Sequence, residues 1–175
     1  MKTMLQTGLG QLGLTLEAAQ EQKLLDYLAL IGKWNRVYNL TAVRDPEEML
    51  SYHLLDSLSA LAPLQRCIKQ HASKTLLDVG SGAGLPGVVF AICNPDLHVA
   101  CVDTVGKKAA FIQQAAAALC LHNLQGVHNR VEKLQQRYDI VCSRAFASLP
   151  DFVNWSANAL ADNGIWLAMK GKTPE

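Results

Sequence analysis

The sequence has no excess of charge of one sign, because sixteen lysines and arginines stand against fifteen aspartates and glutamates, a formal net charge of +1. The total charge therefore gives no argument for nucleic acid, membranes or acidic ligands, and a basic site must come from local arrangement. Long apolar runs are also missing: no stretch approaches the ~18 consecutive apolar residues of a membrane-spanning helix, and the N-terminal segment lacks the apolar region of a signal peptide. We expect a cytoplasmic protein without membrane association.

Paired cysteine motifs are absent as well. The five cysteines form an odd set with no CxxC spacing, which argues against a disulfide framework and against a zinc site. We interpret them as reduced core residues: Cys67, Cys93, Cys101, Cys120 and Cys142. His98 and Cys101 are three residues apart on a predicted strand, so they point to opposite faces. No metal site is predicted.

What is present is enough apolar sequence for one folded core, since half of the 175 residues are hydrophobic and 18% are charged. Apolar positions recur at helical spacing over residues 16–38, which predicts an amphipathic helix. Asp45 before Pro46 is typical of a helix N-terminus, so a second helix is expected from about Pro46 to Ala60. Because nothing before residue 74 resembles a strand, residues 1–73 are predicted to form an N-terminal helical subdomain.

From Lys74 onward, short apolar runs alternate with helical stretches, which predicts an α/β fold with a parallel, doubly wound, Rossmann-like sheet over residues 74–175. A helix is expected to begin after Ser148, and Asn163-Gly164 is expected to precede the last strand. The predicted strands are TLLDV, LHVACVD, a weak strand at residues 126–129, YDIVCS, and IWLAMK at residues 165–170.

The most informative segment is LLDVGSGAGLPG, residues 76–87. A glycine-rich turn after the first strand of a doubly wound sheet is the usual cradle for a ligand, and Asp103 at the end of the next strand suits a ribose diol. Gly82, Gly84 and Gly87 also satisfy GxGxxG, so an NAD-binding interpretation is possible, although Pro86 interrupts that match. Asp78 two residues before Gly80, followed by GxGxG, is instead typical of class I methyltransferases that bind S-adenosylmethionine.

Several longer motifs agree with that interpretation, and together they resemble one family. They are NLTAVRDPEEML (39–50), HLLDS (53–57), LLDVGSGAGLPG (76–87), VDTVGKKAAF (102–111), NRVE (129–132) and SRAFASL (143–149). The chain resembles the glucose-inhibited division protein B family, bacterial 16S rRNA guanine-N7 methyltransferases. The resemblance implies methylation of a guanine in the decoding-centre loop of small-subunit rRNA, with S-adenosylmethionine as cofactor and 16S rRNA or the small ribosomal subunit as partner.

The resemblance also implies roles for individual residues. The positions expected to bind cofactor are Gly80, Gly82, Gly84, Leu85, Asp103, Val131, Glu132 and Arg144. Substrate is expected to be positioned by Lys107, Arg130 and Arg144. Tyr52 and Lys108 stand where the family usually has arginine.

Other polar and aromatic residues carry expectations that do not depend on the resemblance. Arg130, Lys133, Arg137 and Arg144 cluster in sequence near the predicted ends of strands three and four and are assigned to the ligand side, and an anion-binding role is expected for at least Arg130 and Arg144. Trp34, Trp155 and Trp166 are predicted to be packing residues. His53, Asp56 and Ser57 are predicted to join the helical subdomain to the sheet, and the alternative is that they face substrate. A serine-hydrolase site is not expected, because the sequence has no nucleophile elbow and no oxyanion hole beside them.

Two other functions remain possible from the sequence: methylation of a different substrate, and a non-catalytic nucleotide-binding module that docks on RNA. The end of the sequence carries a further expectation. Methyltransferases of this class finish with an antiparallel hairpin beside the fifth strand, whereas the recognisable strands here stop at residues 165–170. The C-terminal hairpin is therefore expected to be missing, and the last strand to be an edge that Lys170 and Lys172 protect in part.

Overall fold

Helices make up the first part of the chain in the computed structural model, which describes residues 1–171. The predicted amphipathic helix is confirmed as the longest of them, and the carboxylate of Asp45 caps the next helix by accepting backbone N–H bonds from Glu47 and Glu48, both at 3.0 Å. The helices are α1 (Lys2–Gln11), α2 (Ala18–Tyr38), α3 (Pro46–Met49), α4 (Asp56–Ser59) and α5 (Leu61–His71).

A π-helical segment, Leu50–Leu55, joins α3 to α4. The predicted helix from Pro46 to Ala60 is therefore present, but with an irregular middle that the sequence pattern does not signal. Such segments occur often at functional sites, because they change the direction of the side chains that follow. His53 lies on this segment and Asp56 begins the regular turn after it.

The second part of the chain alternates strands and helices, as expected. All strand pairs are parallel, in the order β3-β2-β1-β4-β5. The elements are β1 (Thr75–Val79), α6 (Gly87–Cys93), β2 (His98–Asp103), α7 (Gly106–Ala118), β3 (Leu124–His128), β4 (Tyr138–Ser143), α8 (Leu149–Ser156) and β5 (Leu160–Ala168). This arrangement confirms the doubly wound α/β prediction.

The order of the strands determines where a ligand can bind. The chain runs outward from β1 through β2 to β3, then crosses back to pair β4 with the other side of β1. Loops that leave β1 and β4 therefore diverge, and a crevice opens between them at the carboxyl ends of the strands. The glycine-rich segment follows β1, and Arg144 follows β4.

Side chains alternate across β1 and supply two cores. Leu76 packs in a large cluster that includes Leu24 and Ile31 of α2 and Val88 of α6. Leu77 and Val79 face the other side, where Phe152 of α8 covers them. The N-terminal helices thus share a hydrophobic core with one face of the sheet, and the division of the chain at residue 73 stays a prediction.

The last strand differs from the prediction. β5 begins at Leu160, and Asn163-Gly164 lies inside it instead of ending a helix. Tyr138 pairs with Leu160, and Ile140 pairs with Ile165, so β5 bulges between those pairs. Asn163 and Gly164 lie in this bulge. β5 is the outer strand of the described sheet, as expected. Lys172 lies outside the described residues.

The cysteines only partly follow the sequence interpretation. All five are free, and Cys93, Cys101 and Cys142 are buried as expected. Cys67 is half-buried and packs against the core, whereas Cys120 is exposed, so the assignment of Cys120 to the core is wrong. Cys120 ends the α7 region in a left-handed backbone conformation, with φ of 52°. Cys120 has apolar neighbours along the chain, but its side chain is exposed because it lies at the end of a helix.

Candidate functional site

The glycine-rich segment forms a tight loop over the carboxyl end of β1. Gly80, Gly82 and Gly84 all have positive φ, of 64°, 57° and 94°. A side chain on Gly82 would meet no atom within 4 Å, whereas one on Gly84 would collide with Val88 and Ile112. Gly82 therefore borders open space where a ligand can approach the backbone, and Gly84 allows close packing of the loop on the helices.

Asp78 holds this loop from below. Its side chain is completely buried, and its Oδ2 accepts a 2.8 Å hydrogen bond from the backbone N–H of Gly87 at the start of α6. Burial raises the pKa of Asp78 to about 7, with the Gly87 bond and the charge of Arg144 acting in the opposite direction. A side chain on Gly87 would collide with Asp78 and Cys101, so this glycine of the GxGxxG match serves internal packing.

Asp103 lies at the end of β2 and closes the other side of the loop. Its Oδ2 accepts the N–H of Gly82 at 3.0 Å, and its Oδ1 accepts the N–H of Val105 at 2.9 Å. A carboxylate offers about four lone-pair positions, so acceptor capacity remains for two hydroxyl groups. This geometry suits the predicted contact with a ribose diol.

Two cavities meet at this loop. The larger has a volume of about 360 Å³ and contains half of the predicted cofactor and substrate residues, with Trp155 and Phe146 as its aromatic wall. The predicted residues in its lining are Gly80, Asp103, Arg130, Val131 and Glu132, and Lys108 borders it as well. The smaller cavity, of about 150 Å³, contains Gly80, Gly82, Leu85 and Arg144. Gly80 and Ala145 border both cavities, so the two cavities form one cleft with two parts.

Arg144 is held on the inner wall of the smaller cavity. Its Nη1 donates to the backbone oxygen of Tyr52 at 2.9 Å and to Asp56 Oδ2 at 3.2 Å, and its Nη2 lies 3.4 Å from His53 Nδ1. His53 and Asp56 thus join the helices to the sheet, as predicted. Ser57 is buried, and its hydroxyl has no partner within residues 1–171.

The other predicted cations occupy different places. Arg130 is exposed and borders the larger cavity. Lys107 is exposed on α7, with its Nζ 5.3 Å from the ring centroid of Tyr38, whereas Lys108 borders the cavity. Arg137 precedes β4 at the opposite edge of the sheet and pairs with Asp162 at 2.7 Å, so its assignment to the ligand side is wrong. Proximity in sequence to Arg144 did not place it beside Arg144, because β4 separates the two.

Several residues of the site have no recognisable signal in the sequence. Tyr27 of α2 is buried and donates a 2.6 Å hydrogen bond to the carbonyl of Ala83, so a helix of the N-terminal part supports the glycine-rich loop. Thr41 borders the smaller cavity. Trp155 was predicted to pack, but it is 45% exposed at the larger cavity, edge-on to Phe146. Trp34 packs against Phe111 as expected.

The cleft fits the chemistry of S-adenosylmethionine, which joins a nucleoside to an amino acid. The nucleoside would lie in the larger cavity, beside Asp103 and the apolar and aromatic side chains of Val131 and Trp155. The amino-acid part would lie in the smaller cavity, where Arg144 provides positive charge. The hydroxyl of Ser81 borders that cavity, is buried and has no protein partner within residues 1–171, so it can bind a polar group of the ligand.

Neither metal binding nor membrane insertion finds support in the described residues. Within residues 1–171, no three histidine, cysteine or acidic side chains lie close enough to hold a metal ion. Within the same range, no helix is both long and apolar enough to cross a membrane.

Comparison with known proteins gives the family and the fold. The family model described as GidB, rRNA small subunit methyltransferase G, matches residues 20–175. A protein from Paracidovorax citrulli (strain AAC00-1), named ribosomal RNA small subunit methyltransferase G, is 62% identical over 180 residues, covering 97% of this chain and 74% of its own length. A protein of the same name from Polaromonas naphthalenivorans (strain CJ2) is 58% identical over 177 residues, covering 99% and 80%.

Solved structures share the fold at lower identity. Coclaurine N-methyltransferase, bound to N-methylheliamine and SAH, has a TM-score of 0.54 and 13% identity, covering 82% of this chain and 42% of that one. The T. thermophilus 16S rRNA N2 G1207 methyltransferase, in complex with AdoMet and guanosine, has a TM-score of 0.52 and 21% identity, covering 65% and 33%. The fold is that of class I methyltransferases, and the match over residues 20–175 shows that the chain belongs to the GidB family of rRNA small subunit methyltransferase G.

Proposed function

We propose that this protein transfers a methyl group from S-adenosylmethionine to N7 of a guanine in the decoding-centre loop of 16S rRNA. The observation that carries the proposal is the family match over residues 20–175. The two-part cleft at the crossover of the sheet supports it, because the cleft provides one region for a nucleoside and another with a fixed arginine. We also propose a cytoplasmic location, because small ribosomal subunits are found there.

The cofactor contributes the reactive group. When bound, S-adenosylmethionine supplies a methyl group on a positively charged sulfur. The chain's own part would be to hold it: Asp103 would accept from the ribose hydroxyls, Val131 and Leu85 would supply apolar contacts, and the backbone at Gly80 and Gly82 would approach the cofactor closely. Glu132 lies at the exposed rim of the larger cavity. The role of Gly84 in this proposal is indirect, through packing of the loop.

Guanine N7 carries a lone pair and no proton, so methylation there needs no general base. The site agrees with this chemistry, because both ring nitrogens of His53 are engaged by Arg144 and Thr41. What the protein must supply is orientation of N7 towards the methyl group, an effect worth up to ~7–11 kcal/mol in favourable systems. Arg144 is placed to orient either reactant.

RNA is held in this proposal mainly by exposed cations around the cleft. Arg130 lies at the rim of the larger cavity, and Lys107 projects from the first turn of α7 beside Tyr38. Phosphate contacts of this kind fix the position of the RNA and carry little sequence information.

The test is transfer of labelled methyl groups from S-adenosylmethionine to small ribosomal subunits and to naked rRNA, followed by mapping of the modified nucleotide. We expect label in one guanine of the decoding-centre loop, at N7, detected as strand cleavage after mild reduction and aniline treatment. Label at another position or in another substrate would favour the broader methyltransferase alternative. Cofactor binding without transfer to either RNA substrate would favour the non-catalytic RNA-binding alternative.

A further inference from the structure

His53 connects three parts of the chain beside the smaller cavity. It is 6% exposed, and its Nε2 lies 2.7 Å from the hydroxyl oxygen of Thr41 in the loop after α2. Its Nδ1 lies 3.4 Å from Nη2 of Arg144, which follows β4. The Thr41 hydroxyl oxygen also accepts the backbone N–H of Val43 at 3.2 Å, so the loop that carries it is held in turn.

The hydrogen-bond chemistry of these partners determines the form of the ring. A guanidinium can only donate, so Nδ1 of His53 must be unprotonated to accept from Arg144. The single ring proton of the neutral form then lies on Nε2, directed at the Thr41 hydroxyl oxygen. Three of the five N–H donors of Arg144 contact Tyr52, Asp56 and His53. The Nε hydrogen and one Nη2 hydrogen have no partner within residues 1–171.

We propose that His53 is a positioning residue: as a neutral ring protonated on Nε2, it fixes Arg144 so that the remaining donors of the guanidinium face the cleft during methyl transfer. The inference rests on the proposed function for the reaction it serves. The shape of the site supports it, since the same cavity contains Thr41, His53, Arg144 and the glycine-rich loop. His53 acts through Arg144 and needs no contact with substrate.

Protonation of the ring would disrupt this arrangement. Two charged groups act on His53: Arg144 from the segment after β4, and Asp56 one turn further along its own helix. Thr41, which contacts His53 from the loop after α2, carries no charge. Burial and, after it, the charge of Arg144 lower the pKa of His53, while a backbone hydrogen bond to Tyr52 and, after it, the charge of Asp56 act in the opposite direction. Below that pKa, a proton on Nδ1 would face the guanidinium across 3.4 Å, and Arg144 would lose this partner.

A mutant cycle with the full chain tests the proposal on the reaction. His53→Gln places its amide near Nε2 and loses the acceptor for Arg144, so kcat/KM for methyl transfer to small subunits should fall about tenfold. His53→Asn keeps an oxygen near Nδ1 and should stay within about threefold of the wild type. In the Arg144→Ala background, His53→Gln should have no further effect, because a positioning residue acts only through its partner. His122→Asn, an exposed histidine before β3, is the matched control.

The pH profile separates positioning from simple stabilisation. Wild-type activity should fall on the acidic side as His53 is protonated, and His53→Asn should lack that decline because its side chain does not titrate. Additive effects of His53→Gln and Arg144→Ala in active, folded protein would overturn the proposal. So would an acidic limb that is unchanged in His53→Asn.

Nitrogen NMR of histidine-labelled wild-type protein tests the same proposal without activity. At pH 7 we expect the His53 ring to be neutral with its proton on Nε2, and Arg144→Ala to raise the pKa of the ring. A proton on Nδ1, or an imidazolium at pH 7, would overturn the inference whether or not the protein methylates rRNA. Absence of methyl transfer by the wild type, with the expected ring form observed, would instead count against the proposed function alone.

Discussion

The sheet has an amino edge, where its parallel strands begin, and a carboxyl edge, where they end. Aspartates at these two edges have pKa values shifted in opposite directions. At the amino edge, Asp139 of β4 accepts three hydrogen bonds from the start of β1, two from the backbone N–H groups of Lys74 and Thr75 and one from the Thr75 hydroxyl. Burial alone would raise the pKa of Asp139, but these bonds outweigh it and lower the pKa. At the carboxyl edge, Asp78 accepts one backbone bond, and burial raises its pKa to about 7.

The difference concerns more than these two residues. At the amino edge, Arg137 pairs with Asp162, and the Asn123 amide donates to three backbone carbonyls. At the carboxyl edge, three buried side-chain oxygens have no partner within residues 1–171, on Asp78, Ser81 and Ser143. Ser73 is an exception at the amino edge. One edge is closed by internal hydrogen bonds, and the other keeps polar groups and open space for a ligand.

The pKa difference between Asp78 and Asp139 predicts opposite dependences of stability on pH. The native pKa of Asp78 lies above its unfolded value of 3.8, so the native state holds the extra proton between pH 4 and 7 and the free energy of unfolding falls as pH rises through that range. Asp78→Asn should lack this fall. Between pH 4 and 7, the free energy of unfolding of the variant minus that of the wild type should increase by about 1.4 kcal/mol per pH unit. The total difference should be roughly 4 kcal/mol at pH 8.

Asp139 supplies the opposite case. Its lowered pKa means that its contribution is present above pH 3.8 and is lost as pH falls through the native value. Asp139→Asn should destabilise the protein at pH 7 by about 1–3 kcal/mol, and the loss should shrink as pH falls below 3.8. Denaturant titrations across pH measure both variants. Parallel pH curves for Asp78→Asn and Asp139→Asn would contradict the proposed contrast between the edges.

Gly82→Val tests the open space at the carboxyl edge. The branched side chain would enter the smaller cavity, and the positive φ adds about 1–2 kcal/mol of strain. S-adenosylmethionine binding, measured by calorimetry, should become undetectable. Gly13→Val is the matched control, because Gly13 has φ of 66° and open surroundings between α1 and α2. Equal cofactor affinity in folded Gly82→Val and Gly13→Val would remove Gly82 from the site.

Asp103→Ala is expected to have an intermediate effect. Removal of the carboxylate leaves ribose hydroxyls without an acceptor and frees the N–H of Gly82, so cofactor affinity should fall by about 1–3 kcal/mol. Asp162→Ala, which breaks only the surface ion pair with Arg137, should bind cofactor as the wild type does. A similar loss in both variants would mean that the effect does not arise at the cleft.

The smallest expected effects concern RNA. Arg130→Ala should weaken binding to a single-stranded rRNA substrate and reduce the slope of log affinity against log salt by ~0.7, the value for one lost phosphate contact. Lys107→Ala should behave in the same way. Arg137→Ala, at the other edge of the sheet, is the control and should leave the slope unchanged. A collapse of cofactor affinity with an unchanged slope in Arg130→Ala would reverse its assignment to RNA.

Much of the fold could be predicted because its signals are local. Alternating apolar runs and helical stretches indicated all five strands, although β5 begins earlier than expected because Asn163-Gly164 forms a bulge instead of a helix end. Asp45-Pro46 gave the start of α3 through capping alone. Neither α1 nor the π-helical segment was predicted as a separate element. Residues 1–73 were expected only to be helical in general, and the spacing of apolar residues does not distinguish a π-helical segment from the α-helix around it.

The α/β class, the glycine-rich loop after β1 and the family follow from the amino-acid sequence, because each depends on residues that are neighbours along the chain. Which glycines border the cleft and which cations lie near it depends on packing: Gly82 faces open space and Gly84 faces Val88, while β4 carries Arg137 and Arg144 to opposite edges. It also brought Arg144 to Asp56 and Tyr52, which lie 88 and 92 residues earlier. Such contacts depend on how helices pack against a sheet, and no local pattern of residues encodes that geometry.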